Sequence, residues 1–172
     1  EKIKLEHNEV DVIVFGELIL EWYYDPELKE AYQRQMAETI PGPSTTTLQQ
    51  IAIQNNVSIV VGMTEKDSTN TNIYNSQVIL FPTGEWLKYR KRKLNETDKE
   101  NGFTPGNQAT VFDFKGVSSM LFICSDMQSS ALSNEVASSN AKLIFQSLTS
   151  TTDLNPSTSY VGTQLNKWIV FA

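Results

Sequence analysis

The sequence contains one cysteine and one histidine among its 172 residues. A lone cysteine cannot form an internal disulfide, which indicates either a reducing compartment, such as the cytoplasm that we expect, or indifference to redox conditions. The metal-binding patterns CxxC and HExxH are missing, and so is a glycine-rich phosphate-binding loop. We therefore expect no metal ion and no cofactor.

Positive charge is also scarce, since 14 lysines and arginines stand against 20 acidic residues, for a net charge of −6. Phosphate backbones bind basic surfaces, so this balance argues against nucleic acid as a partner. No apolar run approaches the roughly 20 residues that span a bilayer, which argues against a membrane partner. With 40% hydrophobic residues, the sequence predicts one folded domain over residues 1–172.

Short apolar runs that alternate with helical patterns predict an α/β domain with a mixed sheet, covered by helices on at least one face. Pro82-Thr83-Gly84 separates two of these runs and predicts a hairpin. The predicted helices are 26–38, about 45–56 and 129–140. The predicted strands are 11–15, 57–63, 73–81, 85–94, 109–114, 117–124, 141–148 and 167–172.

Three polar residues, Glu17, Lys91 and Cys124, stand at or near the ends of predicted strands, where α/β sheets bind ligands. Each of them also has an ordinary interpretation. A carboxylate after a strand is often only the residue at which the chain reaches solvent. The run KYRKRK is typical of a solvated strand edge, and a free cysteine is often a buried residue of the hydrophobic core.

Because side chains alternate along a strand, Lys91 lies on a different face from two of its charged neighbours. It shares a face with Leu87 and Tyr89, whereas Arg90 and Arg92 fall on the other face. Taken alone, the run KYRKRK still fits a solvated basic edge, since charge runs are usually exposed.

The three polar residues together match the needs of thiol chemistry better than any one of them alone. A thiol nucleophile needs a base, a charge-stabilising group and an oxyanion site. The lone histidine, His7, lies in a segment that is typical of a helix end, so a cysteine–histidine pair is not attractive. Glu17 as base and Lys91 as cation are the partners that remain for Cys124.

Around these residues the sequence resembles the carbon–nitrogen hydrolase, or nitrilase, superfamily, in order along nearly the whole chain. The motifs are VIVFGELIL (12–20), YNSQVILFPTGEWLKYRKRKL (74–94) and SSMLFICSDM (118–127). They are similar to the family's strand with PEL, its YNS…YRKxHL hairpin and its strand that ends in cysteine. The resemblance implies an α/β fold, a nitrilase-like α-β-β-α sandwich with mixed sheets. Family members are longer than this chain, so we expect it to be incomplete at both termini.

The resemblance also implies roles. Glu17 would be the general base, Lys91 the cation that stabilises the tetrahedral intermediate, and Cys124 the nucleophile. The backbone N–H of Ser125 would complete the oxyanion hole. Many relatives have a second glutamate between the lysine and the cysteine, and here Glu100 is the candidate.

Several expectations depend on less distinctive residues. Glu96 competes with Glu100 for the place of the second glutamate. Trp22 and Tyr23 follow the first catalytic motif and could line a substrate pocket, although they could equally anchor the loop on the core. Relatives commonly dimerise near the segment after the cysteine, which implies a homodimer or higher homo-oligomer through 129–140.

The implied activity is hydrolysis of a non-peptide C–N bond in a small-molecule amide, nitrile or N-carbamoyl compound, through a thioester on Cys124. Two alternatives stay open: an N-acyltransferase that uses the same thioester, and a non-catalytic interaction module that keeps the fold. Gly16 and Gln128-Ser129-Ser130 depart from the family pattern and leave the substrate open.

Overall fold

The structure, a computed structural model, describes residues 10–21, 27, 29–149 and 167–172. A four-stranded sheet of mixed direction forms one half of the fold, in the order β1-β2-β3-β4. β1 runs parallel to β2, and the next two pairings are antiparallel. The strands are β1 (Val12–Val14), β2 (Ser58–Lys66), β3 (Ile73–Leu80) and β4 (Trp86–Arg90).

A second four-stranded sheet has the order β5-β6-β7-β8. β5 and β6 form an antiparallel hairpin, and β7 and β8 add in parallel. These strands are β5 (Val111–Phe114), β6 (Val117–Ile123), β7 (Leu143–Ser147) and β8 (Trp168–Phe171). Both sheets are mixed, which confirms that feature of the predicted fold, and the predicted β3–β4 hairpin is also confirmed.

Strand alternation divides the apolar side chains into an inner and two outer layers. Between the sheets, the inner layer includes Val60, Ile79, Tyr89, Leu121, Ile123 and Phe145. On the outer side of the first sheet lies the helix α2 (Pro43–Asn55), whose Ala52 packs on Ile59, Val61 and Val78. On the outer side of the second sheet lies α4 (Ser130–Ser138), which buries Leu132 and Val136 against Met120 and Ile144. The layers are thus α-β-β-α.

The helix α1 (Glu30–Met36) is shorter than the predicted 26–38 and presents a different face. In a helix over 26–38, Ala31 and Gln35 share one predicted inward stripe with Leu28 and Tyr32. In the structure Ala31 and Gln35 are exposed, and Leu28 lies outside the described residues. The buried side chain is Gln33, because α1 contacts β2 through a polar contact in which Thr64 Oγ1 donates to Gln33 Oε1 at 2.6 Å. No helix in the described part of the chain is long and apolar enough to cross a membrane.

A short helix, α3 (Glu96–Glu100), was not predicted. It begins with a capping box between two residues three apart. Asn95 Oδ1 accepts from the backbone N of Asp98 at 2.8 Å, and Asp98 Oδ2 accepts from the backbone N of Asn95 at 2.9 Å. This reciprocal pair turns Asp98 inward, where it is 5% exposed.

Candidate active site

Glu17 lies in a tight turn after β1 that packs closely onto β2. Its backbone N donates to Leu148 O at 3.1 Å, and Leu18 has a left-handed φ of 52°. A Cβ on Gly62 of β2 would lie 2.6 Å from Leu18 N and 2.7 Å from Gly16 O. Gly62 is therefore needed for the close approach that holds the Glu17 turn against the sheet. The Glu17 side chain is buried.

Lys91 follows β4 directly and is 1% exposed, so the solvated-edge interpretation is wrong. Its backbone is fixed on both sides, because Lys91 N donates to Asn75 O and Gly106 N donates to Lys91 O, each at 2.8 Å. The ammonium Nζ lies 2.7 Å from Glu17 Oε1 and 2.8 Å from Asp98 Oδ2. A buried cation thus sits between two carboxylates.

Asn75 on β3 holds the two carboxylates together. Its Nδ2 donates to Glu17 Oε1 at 2.7 Å and to Asp98 Oδ1 at 3.2 Å. Burial lowers the pKa of Lys91, but the charges of Glu17, Asp98 and Cys124 raise it more, and the net pKa lies above the ordinary lysine value. Lys91 therefore stays an ammonium ion in a dry site.

Cys124 ends the apolar run of β6 and starts a 3-10 turn, Cys124–Gln128. Its φ of 40° lies in the left-handed region, which is costly for a residue with a side chain and recurs at functional sites. Gln146 Nε2 donates to Cys124 O at 3.1 Å. The sulfur contributes to the raised pKa of Lys91, so it lies within electrostatic range of that ammonium. The structure brings Glu17, Lys91 and Cys124 to one place.

Asp126 clamps the segment that carries the lysine to the turn that carries the cysteine. Its Oδ2 accepts from Tyr89 Oη at 2.8 Å and from Ile123 N at 3.1 Å. Its Oδ1 accepts from Arg92 N at 3.0 Å and from Lys93 N at 2.7 Å. Burial raises the pKa of Asp126 to about 6, although these donors pull it down.

The second carboxylate beside the lysine is not one that the sequence predicted. Glu100 lies at the surface, 2.7 Å from Lys29 Nζ, and Glu96 is exposed. Residues two apart on a helix point to nearly opposite sides, so a helix that turns position 98 inward turns 96 and 100 outward. We therefore correct the expected position: Asp98, not Glu100 or Glu96, contacts Lys91.

The described residues do not test two further expectations, those on Trp22 with Tyr23 and on the Ser125 backbone N–H. Trp22 and Tyr23 lie outside the described residues. Ser125 is buried in the 3-10 turn, and its hydroxyl donates to Lys93 O at 2.8 Å. The oxyanion role of the Ser125 backbone N–H stays a prediction. Asn75 was missed, because its contacts with Glu17 and Asp98 form only in the folded chain.

A cavity of about 300 Å³ reaches the site through Glu17. The other described residues that line it are Leu18, Glu21, Gln33, Thr97, Asn101 and Thr149. A larger cavity, of about 710 Å³, lies at the turn after β3 and touches no residue of the triad. Within the described ranges, no cluster of three or more histidine, cysteine or acidic side chains could hold a metal ion. Among the cavities lined by described residues, the smaller one contacts the site through Glu17.

Known proteins are similar to this chain in sequence. The sequence model of the carbon–nitrogen hydrolase family matches residues 3–168. An (R)-stereoselective amidase of a Pseudomonas species is 31% identical over 137 residues, which are 80% of this chain and 47% of that protein. A nitrilase of Pyrococcus abyssi is 35% identical over 117 residues, 67% of this chain and 43% of that protein. The chain spans about half the length of the curated relatives it matches.

The fold has a solved counterpart in Nit3 of Saccharomyces cerevisiae, a member of the nitrilase superfamily. The two superpose with a TM-score of 0.84 at 20% identity, over 99% of this chain and 65% of that one. The likeness confirms the predicted nitrilase-like α/β fold.

Proposed function

The chain belongs to the carbon–nitrogen hydrolase family, and we propose that it acts as a thiol hydrolase on a non-peptide C–N bond of a small amide, nitrile or N-carbamoyl compound. One observation carries the proposal: the buried Lys91 ammonium lies between Glu17 and Asp98, within electrostatic range of Cys124. The relatives named amidase and nitrilase support the amide and nitrile classes.

The two oxygens of Glu17 have different surroundings. Oε1 accepts from Asn75 and contacts Lys91, whereas Oε2 is buried and has no hydrogen-bond partner among the described residues. We assign Oε2 as the atom that takes the proton from Cys124 Sγ. The thiolate then attacks the substrate carbon, and for an amide the carbonyl electrons move to oxygen. The Lys91 ammonium and the Ser125 N–H stabilise that oxyanion.

Collapse of the tetrahedral intermediate breaks the C–N bond. Protonated Glu17 gives its proton to the leaving nitrogen, so ammonia or an amine departs and the acyl group remains as a thioester on Cys124. Water then attacks the thioester as Glu17 takes a proton from it, and the acid is released with the thiol regenerated. Glu17 thus acts as base and acid in turn.

Asp98 supports this cycle electrostatically. When Glu17 is protonated, Lys91 would lose its balancing negative charge in a buried site, which is costly. Asp98 Oδ2, 2.8 Å from Lys91 Nζ, keeps that balance throughout. We therefore assign Asp98 the place that relatives give to a second glutamate.

Ammonia release tests the proposal. The full-length gene product is incubated with a panel of aliphatic amides, nitriles and N-carbamoyl compounds, beside Cys124→Ala and Glu17→Gln. We expect release that both variants lose, and that a variant at the exposed end of the turn, Gln128→Ala, retains. Release that survives Cys124→Ala would contradict thiol chemistry, and a folded protein inactive on the whole panel would favour an interaction module.

Adding a primary amine to the same assay separates the hydrolase from an N-acyltransferase. A hydrolase passes the acyl group to water at low amine concentration, so the free acid dominates. An excess of N-acyl amine over free acid would favour the transferase.

The cytoplasmic location and the homo-oligomer through residues 129–140 also remain proposals. In α4, Leu132 and Val136 pack on the chain's own sheet, while Ala131 and Ala137 are exposed. Sedimentation of the full-length protein, with Ala137→Arg as the interface variant, tests the oligomer. A dimer that the arginine dissociates supports this interface, and a monomeric wild type contradicts it.

A further inference from the structure

The cavity beside Glu17 bears on substrate choice through its size and through the residues that line it. With a volume of about 300 Å³, it is at the small end of the pockets that hold small ligands. Ammonia leaves from a simple amide, so the remaining acyl group is the part that needs a place next to Glu17. The lining of this cavity therefore bears on which acyl groups fit.

One acceptor in the lining of the cavity has no donor among the described residues. Asn101 is 3% exposed, and its Oδ1 is buried with no partner among the described residues. Gln33 Oε1 already accepts from Thr64 Oγ1 at 2.6 Å, and Glu21 Oε2 accepts from Thr64 N at 3.0 Å. A buried acceptor without a donor is unfavourable, so a donor from a ligand would be stabilised here.

Charge in the cavity favours a cation. Burial raises the pKa of the Glu21 carboxyl to about 8, and the negative charge of Glu38 raises it further. No lysine or arginine is among the described lining residues, and the Lys91 ammonium already contacts two carboxylates. An anionic tail would find no counter-charge, whereas a cationic tail would take the place of the proton on Glu21.

We propose that this cavity selects amides whose acyl chain ends in a primary ammonium group, which donates to the Glu21 carboxylate and to Asn101 Oδ1. This inference rests on the proposed function. An ammonium ion has three donors and no acceptor, which matches the unpartnered Asn101 Oδ1 and the Glu21 carboxyl. A methyl group leaves the same oxygens unpaired, and a carboxylate opposes them.

Three amides of matched length test the inference. In δ-aminovaleramide the tail ends in an ammonium group, in hexanamide a methyl group replaces it, and in glutaramate carboxylate oxygens take its place. With wild type we expect kcat/KM for δ-aminovaleramide to exceed that for hexanamide by about tenfold or more, with glutaramate slowest. Equal values for the first two, or a preference for glutaramate, would overturn the proposal.

Glu21→Gln keeps the size and one acceptor of the side chain but removes the charge. We expect it to bring the ratio of the δ-aminovaleramide to the hexanamide kcat/KM close to one. The matched control is Glu100→Gln, a surface carboxylate on α3 whose loss should leave the wild-type ratio. A Glu21→Gln protein that is folded by circular dichroism and keeps the wild-type preference would overturn the assignment.

Calorimetry separates this inference from the proposed chemistry. Cys124→Ala cannot form a thioester, so binding of δ-aminovaleramide to it reports on the cavity alone. We expect binding that weakens about tenfold or more when Glu21→Gln is added, since a charged hydrogen bond is lost. Absence of ammonia release by wild type would contradict the proposed function, while the absence of this binding difference would contradict the cavity assignment.

Discussion

The Lys91 ammonium nitrogen lies 2.7 Å from Glu17 Oε1, and both side chains are almost wholly buried. Removing the cation from such a pair leaves two carboxylates, Glu17 and Asp98, facing each other without counter-charge. We expect Lys91→Met to abolish ammonia release and to lower the free energy of unfolding by about 3–5 kcal/mol. Urea denaturation and the ammonia assay measure both effects.

The matched control is Lys93→Met, two residues further along, where the side chain is exposed. It should change the free energy of unfolding by less than about 0.5 kcal/mol. If the two substitutions lower the free energy of unfolding equally, the burial of Lys91 does not contribute to stability.

Asp98 is predicted to be the second acid of the site. Asp98→Asn keeps an oxygen that can accept from Asn95 N but removes the charge next to Lys91. We expect kcat/KM to fall by about 10- to 100-fold, because Lys91 is then balanced by Glu17 alone. Glu96→Gln and Glu100→Gln should stay near wild type, since both side chains face solvent. If Glu100→Gln lowers kcat/KM and Asp98→Asn does not, Glu100 is the second acid, as the sequence predicted.

Glu21 makes stability depend on pH in a definite direction. Its pKa rises from 4.5 to about 8 in the folded state, mainly through burial. Between pH 4.5 and pH 8, the Glu21 carboxyl is ionised in the unfolded chain but protonated in the folded chain. The free energy of unfolding therefore falls as pH rises from 4.5 to 8 and is constant at higher pH. The loss at this residue is on the order of 5 kcal/mol.

Glu21→Gln removes that titration and leaves the other groups in place. The difference in unfolding free energy between Glu21→Gln and wild type should therefore shift in favour of the variant as pH rises. Chemical denaturation at acid, neutral and mildly alkaline pH measures it. Parallel curves for the two proteins would show that Glu21 ionises normally in the fold.

The Asp126 clamp is expected to stabilise the fold. Asp126→Asn cannot accept all four of the hydrogen bonds that reach the wild-type carboxylate, so buried donors are left unpaired. We expect a loss of about 2–4 kcal/mol of stability, and about 1 kcal/mol for Tyr89→Phe, which removes one of these bonds. Denaturant titration of both variants gives the comparison, and an Asp126→Asn loss no larger than that of Tyr89→Phe would contradict the clamp.

Sequence reasoning predicted the fold because its signals are local, and the resemblance to the family motifs supplied the three candidate catalytic residues. Apolar runs and turn residues mark the strands, and alternation on the strand that carries Lys91 showed that this lysine differs from its neighbours. The outer helix α2 begins and ends close to its predicted bounds.

The contacts that sequence reasoning missed are set by tertiary packing. The run NETDKE does not indicate which of its acidic side chains is buried. The capping box of α3 decides this, because it fixes the residue at which the helix begins. Gln33 is buried because α1 contacts β2 through polar atoms, which an apolar stripe cannot reveal. Asn75 binds two residues that are 58 and 23 positions away, so its role appears only when the strands are assembled.

The most direct test of the account is the intact mass of the protein during turnover. Full-length wild type is mixed with a reactive amide, quenched in acid within the first turnover and compared with Cys124→Ala. The account predicts a mass increase equal to the acyl group, mapped to Cys124, absent from Cys124→Ala and removed by hydroxylamine. Ammonia release without any acyl adduct on Cys124, in a protein whose thiol does not react, would contradict it.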